Sequence, residues 1–190
     1  MTRSRLEAFS DAVIAIIITI MVLELSVPHG TDWEALRGLA PIFLAYVLSF
    51  VNLGIYWNNH HHMLHLVHRT NGKILWANLH LLFWLSLFPF ATAWMGENDF
   101  AELPTAFYGI VSILAAVAYY ILQLTIIRDQ GPSSELAAAL GRDLKGKLSP
   151  LLYAAGIAFA FVGRWISLGL YVLVAMMWLI PDRRIESTLR

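Results

Sequence analysis

Apolar runs long enough to cross a lipid bilayer constrain the fold of this chain more than any other feature. The first run, residues 6–27, contains 22 residues. As an α-helix it would be about 33 Å long, and the hydrocarbon core of a bilayer is about 30 Å thick. The run carries Glu7, Asp11 and Glu24, and no small-residue cleavage site follows it. We therefore interpret it as a retained membrane helix and not as a signal peptide.

Further apolar segments predict an all-α, polytopic membrane protein with six transmembrane helices in one domain, residues 1–190. The last apolar block, residues 148–180, contains 33 residues. We divide it at Gly163-Arg164-Trp165, because an arginine is costly in the middle of a bilayer. The expected spans are about 6–27, 36–58, 74–95, 104–127, 149–162 and 165–180. The last two are short for a full crossing, which is compatible with tilt or shielding by other helices.

The composition agrees with a membrane protein and excludes several other classes. Charged residues make up 14% of the chain, whereas about 25% is usual in soluble domains. Because 13 basic residues balance 13 acidic ones, the chain lacks the basic surplus of a nucleic-acid binder. The absence of cysteine excludes disulfides and thiolate catalysis. No nucleophile–base pair or phosphate loop can be assembled, so we expect neither enzyme activity nor a cofactor.

The basic residues predict the orientation of the chain. Six spans put both termini on one side, together with eleven basic residues: Arg3, Arg5, Arg69, Lys73, Arg128, Arg142, Lys145, Lys147, Arg183, Arg184 and Arg190. Only Arg37 and Arg164 fall on the other side. The positive-inside rule then predicts that both termini are cytoplasmic. The formal charge is +4 on the inner side and −4 on the outer side, where Glu24 would help an outer mouth to attract cations.

The first helix carries a distinctive face. At 100° per residue, an arc of about 100° holds one hydroxyl among aliphatic side chains: Ala12, Ile16, Thr19, Ile20 and Leu23. Ser10 and Asp11 point well away from the centre of this arc. An ionisable group inside a span is costly unless it is paired, which makes Asp11 a candidate functional residue. A packed helix with one satisfied polar pair explains the pattern equally well.

The segment Arg5-x-x-x-Phe9-Ser10-Asp11 resembles the signature of the transmembrane protein 175 potassium channels. The resemblance continues in order along the chain, at Tyr56-Trp57-Asn58-Asn59-His60-His61, Trp76-Ala77-Asn78-Leu79, residues 87–92 and residues 178–184. It covers nearly the whole chain, and the first motif is the most specific. The prokaryotic members are six-helix subunits that assemble as tetramers. The resemblance therefore implies a homotetramer in a bacterial or archaeal cell membrane.

The resemblance also implies a potassium-permeable cation channel, with a pore lined by the first helix of each subunit. An apolar constriction would correspond to Ile16, with further apolar rings at Ile20 and Leu23 and a hydroxyl layer at Thr19. The chain lacks the Thr-Val-Gly-Tyr-Gly carbonyl filter of ordinary potassium channels. The signature would form an internal polar network of Arg5, Phe9, Ser10 and Asp11, for which the candidate partners are His61, Asn78 and His80.

Histidines cluster near the end of the second span, at His60, His61, His62, His65 and His68. Residues at i and i+4, such as His61 and His65, can bind a metal ion. Hydrogen bonding at a helix end explains the cluster more simply, so we expect no bound metal. Two other functions stay open. One is a proton- or cation-coupled secondary transporter that uses Asp11 and the histidines. The other is a membrane haem or metal oxidoreductase that uses the cluster together with His80.

Overall fold

The computed structural model describes residues 2–131, 134–140 and 144–179, and most of these residues are helical. The helices in chain order are α1 (Arg3–Leu23), α2 (Trp33–Arg37), α3 (Ala40–His65), α4 (Gly72–Ser86), α5 (Phe88–Glu97), α6 (Glu102–Gln130), α7 (Glu135–Leu140), α8 (Leu144–Ala160) and α9 (Arg164–Leu179). The predicted end of the sixth span at Ile180 lies outside the described residues, as do Arg142, Arg183, Arg184 and Arg190.

Within the described ranges, four helical stretches are long and apolar enough to cross a membrane: Arg3–Leu23, Ala40–His65, Gly72–Glu97 and Glu102–Gln130. The third comprises α4 and α5, which meet at Leu87. Pro89 lies in the first turn of α5, where its missing N–H costs little, and this explains the break. The helices α8 and α9 contain 17 and 16 residues. They are therefore about 26 and 24 Å long, slightly shorter than a hydrocarbon core.

The ends of the first two spans differ from the predicted ones. The helix α1 ends at Leu23, four residues before residue 27, and Glu24 is its C-cap. The helix α3 continues to His65, seven residues beyond residue 58. Apolarity does not define these ends, because α1 stops within an apolar run, whereas α3 extends through a polar one. The histidine cluster consequently lies largely on the last two turns of α3.

Starts of helices also differ from the predictions. Residues 33–37 form the separate helix α2, so α3 begins at Ala40 and not at residue 36. Asp32 caps α2, because its side chain accepts a hydrogen bond from the Ala35 N–H at 2.9 Å. The helix α8 begins at Leu144, five residues before residue 149, which places Pro150 inside the helix.

The helix α6 packs against α4, α5, α8 and α9, whereas α1 lies at the edge of the bundle against α3, α4 and α5. The buried Tyr171 ring of α9 fits between α6 and α8 at Gly109 and Gly156. A Cβ atom at either glycine would overlap this ring. Its hydroxyl donates to the Thr105 carbonyl at 3.1 Å. Small residues thus allow these helices to pack closely.

Hydrogen bonds at the helix ends show which ends lie together. The Arg3 Nη1 atom donates to the His65 carbonyl at 2.8 Å, which joins the start of α1 to the end of α3. Asn71, before α4, donates to Asp129 on the last turn of α6. Arg164 Nη1 donates to the Asp99 carbonyl at 2.8 Å, which joins the α8–α9 turn to the α5–α6 turn. These are the contacts expected of antiparallel neighbours.

Candidate functional site

The helix α1 has one buried face and one uncovered face. The buried side chains recur every three or four residues, at Leu6, Ser10, Ile14, Ile17 and Met21. This period is that of one side of an α-helix. The face packs against α3, α4 and α5. The side chains on the opposite side of α1 are largely exposed in the single subunit.

The uncovered side coincides with the arc identified in the sequence, and its five residues, Ala12, Ile16, Thr19, Ile20 and Leu23, are here called the α1 stripe. All five are exposed. The exposed fractions are 56% for Ile16, 41% for Ile20 and 80% for Leu23, which are large values for branched aliphatic side chains. A single subunit therefore leaves apolar surface on α1 that another copy, lipid or a permeation path must meet.

Thr19 is the polar member of the α1 stripe. Its Oγ1 donates to the Ile16 carbonyl, one turn earlier, at 2.9 Å. Because the hydroxyl proton is used within the helix, the remaining lone pairs of the oxygen are free to point outward. The stripe thus presents an acceptor, suited to a cation, between two apolar levels.

A groove lies beside the α1 stripe and runs towards Glu24. It is lined on the α1 side by Val13, Ile16, Ile17, Ile20 and Glu24, and on the other side by Ser86, Pro89, Phe90 and Ala93. Glu24 is exposed at the end of α1, on the side where the charge distribution predicts the outer mouth.

A chain of buried hydrogen bonds holds the back of α1 against α3 and α4. Asn78 Nδ2 donates to Ser10 Oγ at 2.9 Å, and Ser10 Oγ donates to the Leu6 carbonyl at 2.9 Å. His60 Nε2 lies 2.7 Å from Asn78 Oδ1. An amide oxygen only accepts, so the Nε2 atom carries the proton. Ser10, Asn78 and His60 are all almost completely buried, and their hydrogen bonds fix α1 relative to its neighbours.

The structure separates the other signature residues from this chain. Asp11 Oδ1 accepts from Trp57 Nε1 at 3.1 Å in a more exposed position. Arg5 and Phe9 lie on the uncovered side of α1, and Phe9 is 47% exposed. Arg5 therefore shares a side of the helix with Ile16, as the helical angles indicate, instead of joining a buried network.

Of the three candidate partners, Asn78 contacts Ser10 of the signature, whereas His61 and His80 contact Glu7 and Trp84. His61 Nδ1 contacts Glu7 Oε1 at 2.9 Å, and His60 contacts Asn78 in its place. His80 Nε2 accepts from Trp84 Nε1 on its own helix at 2.9 Å, at an exposed position. Spacing alone could not distinguish His60 from His61, because the choice depends on where α4 packs.

A second buried polar group is not apparent from the sequence. Ser49 Oγ lies 2.7 Å from Thr92 Oγ1 and 3.2 Å from the Tyr108 hydroxyl, and Asn52 Nδ2 donates to the same hydroxyl at 2.9 Å. These side chains join α3, α5 and α6. Hydrogen bonds between apolar helices stabilise membrane bundles by about 0.6 kcal/mol on average and by up to about 1.7 kcal/mol. We assign this group a structural role.

Among the described residues, Glu7, His61 and His65 bring three potential metal ligands together, with all ligand atoms within 4.8 Å of one another. The sequence pattern identified the two histidines. It gave no reason to include Glu7, which is distant in sequence.

Comparisons with known proteins give a consistent result. The family model described as "Endosomal/lysosomal potassium channel TMEM175" matches residues 5–89. A potassium channel of Chryseobacterium sp. (strain P1-3) is 56% identical over 190 residues, which is 100% of this chain and 99% of the relative. A potassium channel of Streptomyces collinus is 31% identical over 185 residues, 92% of this chain and 90% of the relative. A crystal structure of a lysosomal potassium-selective channel TMEM175 homolog from Chamaesiphon minutus superposes with a TM-score of 0.82 at 29% identity, covering 95% of this chain and 97% of that one.

Proposed function

Because this chain belongs to the TMEM175 family, whose members are channels and not enzymes, we propose that it is the subunit of a potassium-permeable cation channel in a cell membrane. Four copies assemble around an axis with α1 innermost, and the α1 stripe lines the permeation path. The observation that carries this proposal is that α1 is buried on one side and uncovered along the α1 stripe.

In this proposal Ile16 forms the constriction, and Ile20 and Leu23 form wider apolar levels towards the outer side. An aliphatic ring cannot replace the hydration shell of an ion, so selectivity is modest and depends on how easily each ion loses water. The larger K⁺ holds its water less strongly than Na⁺ and passes more readily. Thr19 offers an oxygen to the ion between these levels. Conduction of this kind needs no cofactor, and K⁺ is the permeant ion.

The contacts at the helix ends support a six-span topology for this channel. We count α1, α3, the α4–α5 pair, α6, α8 and α9 as six crossings, with both termini in the cytoplasm of a bacterial or archaeal cell. Arg164 then lies at the outer end, where the Asp99 carbonyl binds its guanidinium. The inner end carries Arg3, whose guanidinium binds the His65 carbonyl. Neither charge lies in mid-membrane, in keeping with the cost of burying one there.

The test is ion flux in liposomes that contain the purified chain, with outward gradients of K⁺, Cs⁺ or Na⁺. We expect rapid K⁺ and Cs⁺ efflux, slower Na⁺ efflux and no flux in protein-free liposomes. Unitary currents in planar bilayers distinguish a channel from a carrier. Slow, saturable flux without unitary currents would instead favour the secondary transporter based on Asp11 and the histidines. Native mass measurement checks for four subunits.

A further inference from the structure

The inner end of the α1–α3 pair contains three side chains that the proposed permeation path does not use. Glu7 lies one turn inside α1, and His61 and His65 lie one turn apart at the end of α3. Their ligand atoms are all within 4.8 Å of one another, and Glu7 Oε1 is 2.9 Å from His61 Nδ1. Two imidazoles and one carboxylate are the donor set of open zinc sites, in which water completes a tetrahedron.

We propose that Glu7, His61 and His65 form a binding site for a first-row transition-metal ion such as Zn²⁺, and that this ion links α1 to α3. Ligand atoms in a tetrahedral zinc site lie about 3.3 Å apart, since each is about 2.0–2.1 Å from the ion. Glu7 Oε1 and His61 Nδ1 are 2.9 Å apart, slightly closer than this spacing, so a small separation of the two side chains would admit the ion. His65 is exposed on the last turn of α3, so its ring can rotate the remaining distance without disturbing packed neighbours.

The surroundings of His61 support a metal site. Its ring stacks on the Trp57 ring at a centroid distance of 6.3 Å and an angle of 26°. Trp57 is in turn held by its hydrogen bond to Asp11. Contacts that fix the orientation of a ligand imidazole raise metal affinity. The Asp11 carboxylate lies one turn along α1 from Glu7 and adds negative charge on the same side of the site.

The backbone of His65, the third ligand, is held near α1 by a hydrogen bond. Arg3 binds the His65 carbonyl at 2.8 Å, which holds the end of α3 close to the start of α1. The His61 and Glu7 side chains are 41% and 18% exposed, so an ion can reach the site from water. A simple hydrogen bond between Glu7 and His61 does not require His65, whereas a metal site does. Substitution of His65 therefore tests the proposal.

The test is calorimetric titration of the full-length protein, in detergent and with any affinity tag removed, using ZnCl₂ as the probe. We expect one Zn²⁺ per subunit. The variant His65→Ala removes one exposed ligand and should weaken binding by at least about tenfold. Glu7→Gln should do the same, although its amide can still bond to His61. His68→Ala is the matched control, because this histidine is exposed nearby but lies outside the cluster.

Thermal unfolding with and without Zn²⁺ gives a second readout, because a ligand that binds only the folded state stabilises it. Zn²⁺ should raise the Tm of the unsubstituted protein and of His68→Ala, but not of His65→Ala. Equal zinc affinity in His65→Ala and the unsubstituted protein would overturn the proposal. So would the absence of stoichiometric binding. Neither readout involves ion flux, so this site and the channel function can fail independently.

Discussion

The α1 stripe and the outer face of α3 are both apolar and uncovered, yet they differ in composition. The α3 outer face, defined here as Phe43, Leu44, Val47 and Phe50, is exposed to the same degree. Phe43 is 55% exposed and Ile16 is 56% exposed. Exposure in one subunit therefore does not distinguish a surface that meets lipid from one that meets other copies or permeating ions.

Composition does separate the two faces. The α3 outer face is rich in large rings, and Tyr46 lies between Phe43 and Phe50 with ring centroids 6.3 and 6.0 Å away. The α1 stripe combines an alanine, branched aliphatic residues and a hydroxyl, and the one aromatic side chain on this side of α1, Phe9, lies nearer the start of the helix. Small residues allow helices to approach one another closely in membranes. We infer that the α3 outer face meets lipid and that α1 faces its copies across the axis.

The largest effect is expected from a polar residue at the proposed constriction. Ile16→Asn should raise K⁺ flux in liposomes by roughly tenfold or more, because a tenfold change needs a barrier only about 1.4 kcal/mol lower. The asparagine side chain would let water into the apolar constriction, and its amide oxygen would contact the ion. K⁺ and Na⁺ efflux would be measured at equal protein content.

Val47→Asn is the matched control for Ile16→Asn. Each residue lies seven positions from the outer end of its helix, on an uncovered face. Flux through Val47→Asn should stay close to that of the unsubstituted protein. An equal increase in both variants would mean that the two faces do not differ as described.

A smaller effect is expected from the hydrogen bonds behind the α1 stripe. Ser10→Ala removes the acceptor of Asn78 Nδ2 and should lower the free energy of unfolding by about 1 kcal/mol. Thermal unfolding in detergent would measure this loss. Ser86→Ala serves as the control, since this serine is exposed and its hydroxyl donates to the carbonyl of Phe83 on its own helix. Equal Tm values for the two variants would contradict the role of Ser10 in holding α1.

The smallest effect is expected from removal of the hydroxyl of Thr19, the polar residue of the α1 stripe. Thr19→Val keeps the shape of the side chain and removes the oxygen, so the K⁺/Na⁺ flux ratio should change by about threefold, equivalent to about 0.6 kcal/mol. Thr125→Val is the control, because that residue is half-buried and its hydroxyl also donates to a carbonyl of its own helix, Ile121, at 2.7 Å. A comparable change in Thr125→Val would remove the reason for assigning Thr19 to the path.

Much of the fold and part of the site follow from the sequence because both depend on helical periodicity. The α1 stripe was predicted from angles alone, and the buried position of Ser10 on the other side of the helix agrees with them. The resemblance gives Asn78 as one of three candidate partners of the signature, and the structure places its amide against Ser10. These features do not depend on the exact residues at which the predicted helices begin and end.

The remaining features depend on tertiary packing, so the pattern of residues along the sequence does not predict them. Whether His60 or His61 faces inward depends on the position of α4, and His80 bonds to Trp84 because its side of α4 is exposed. The sequence contains no signal for the end of α1 at Leu23, because Leu25 and Val27 continue the apolar run. The cluster that includes Glu7 requires two distant helix ends to meet.

The most direct test of the central claim is whether water reaches the α1 stripe within the assembled protein. The chain has no cysteine, so Ile16→Cys and Val47→Cys each introduce one thiol. In liposomes, a charged, water-soluble thiol reagent should label Ile16→Cys and block its K⁺ flux, and it should leave Val47→Cys unlabelled with its flux unchanged. Labelling at position 47 but not at position 16, while K⁺ still flows, would contradict a permeation path along α1.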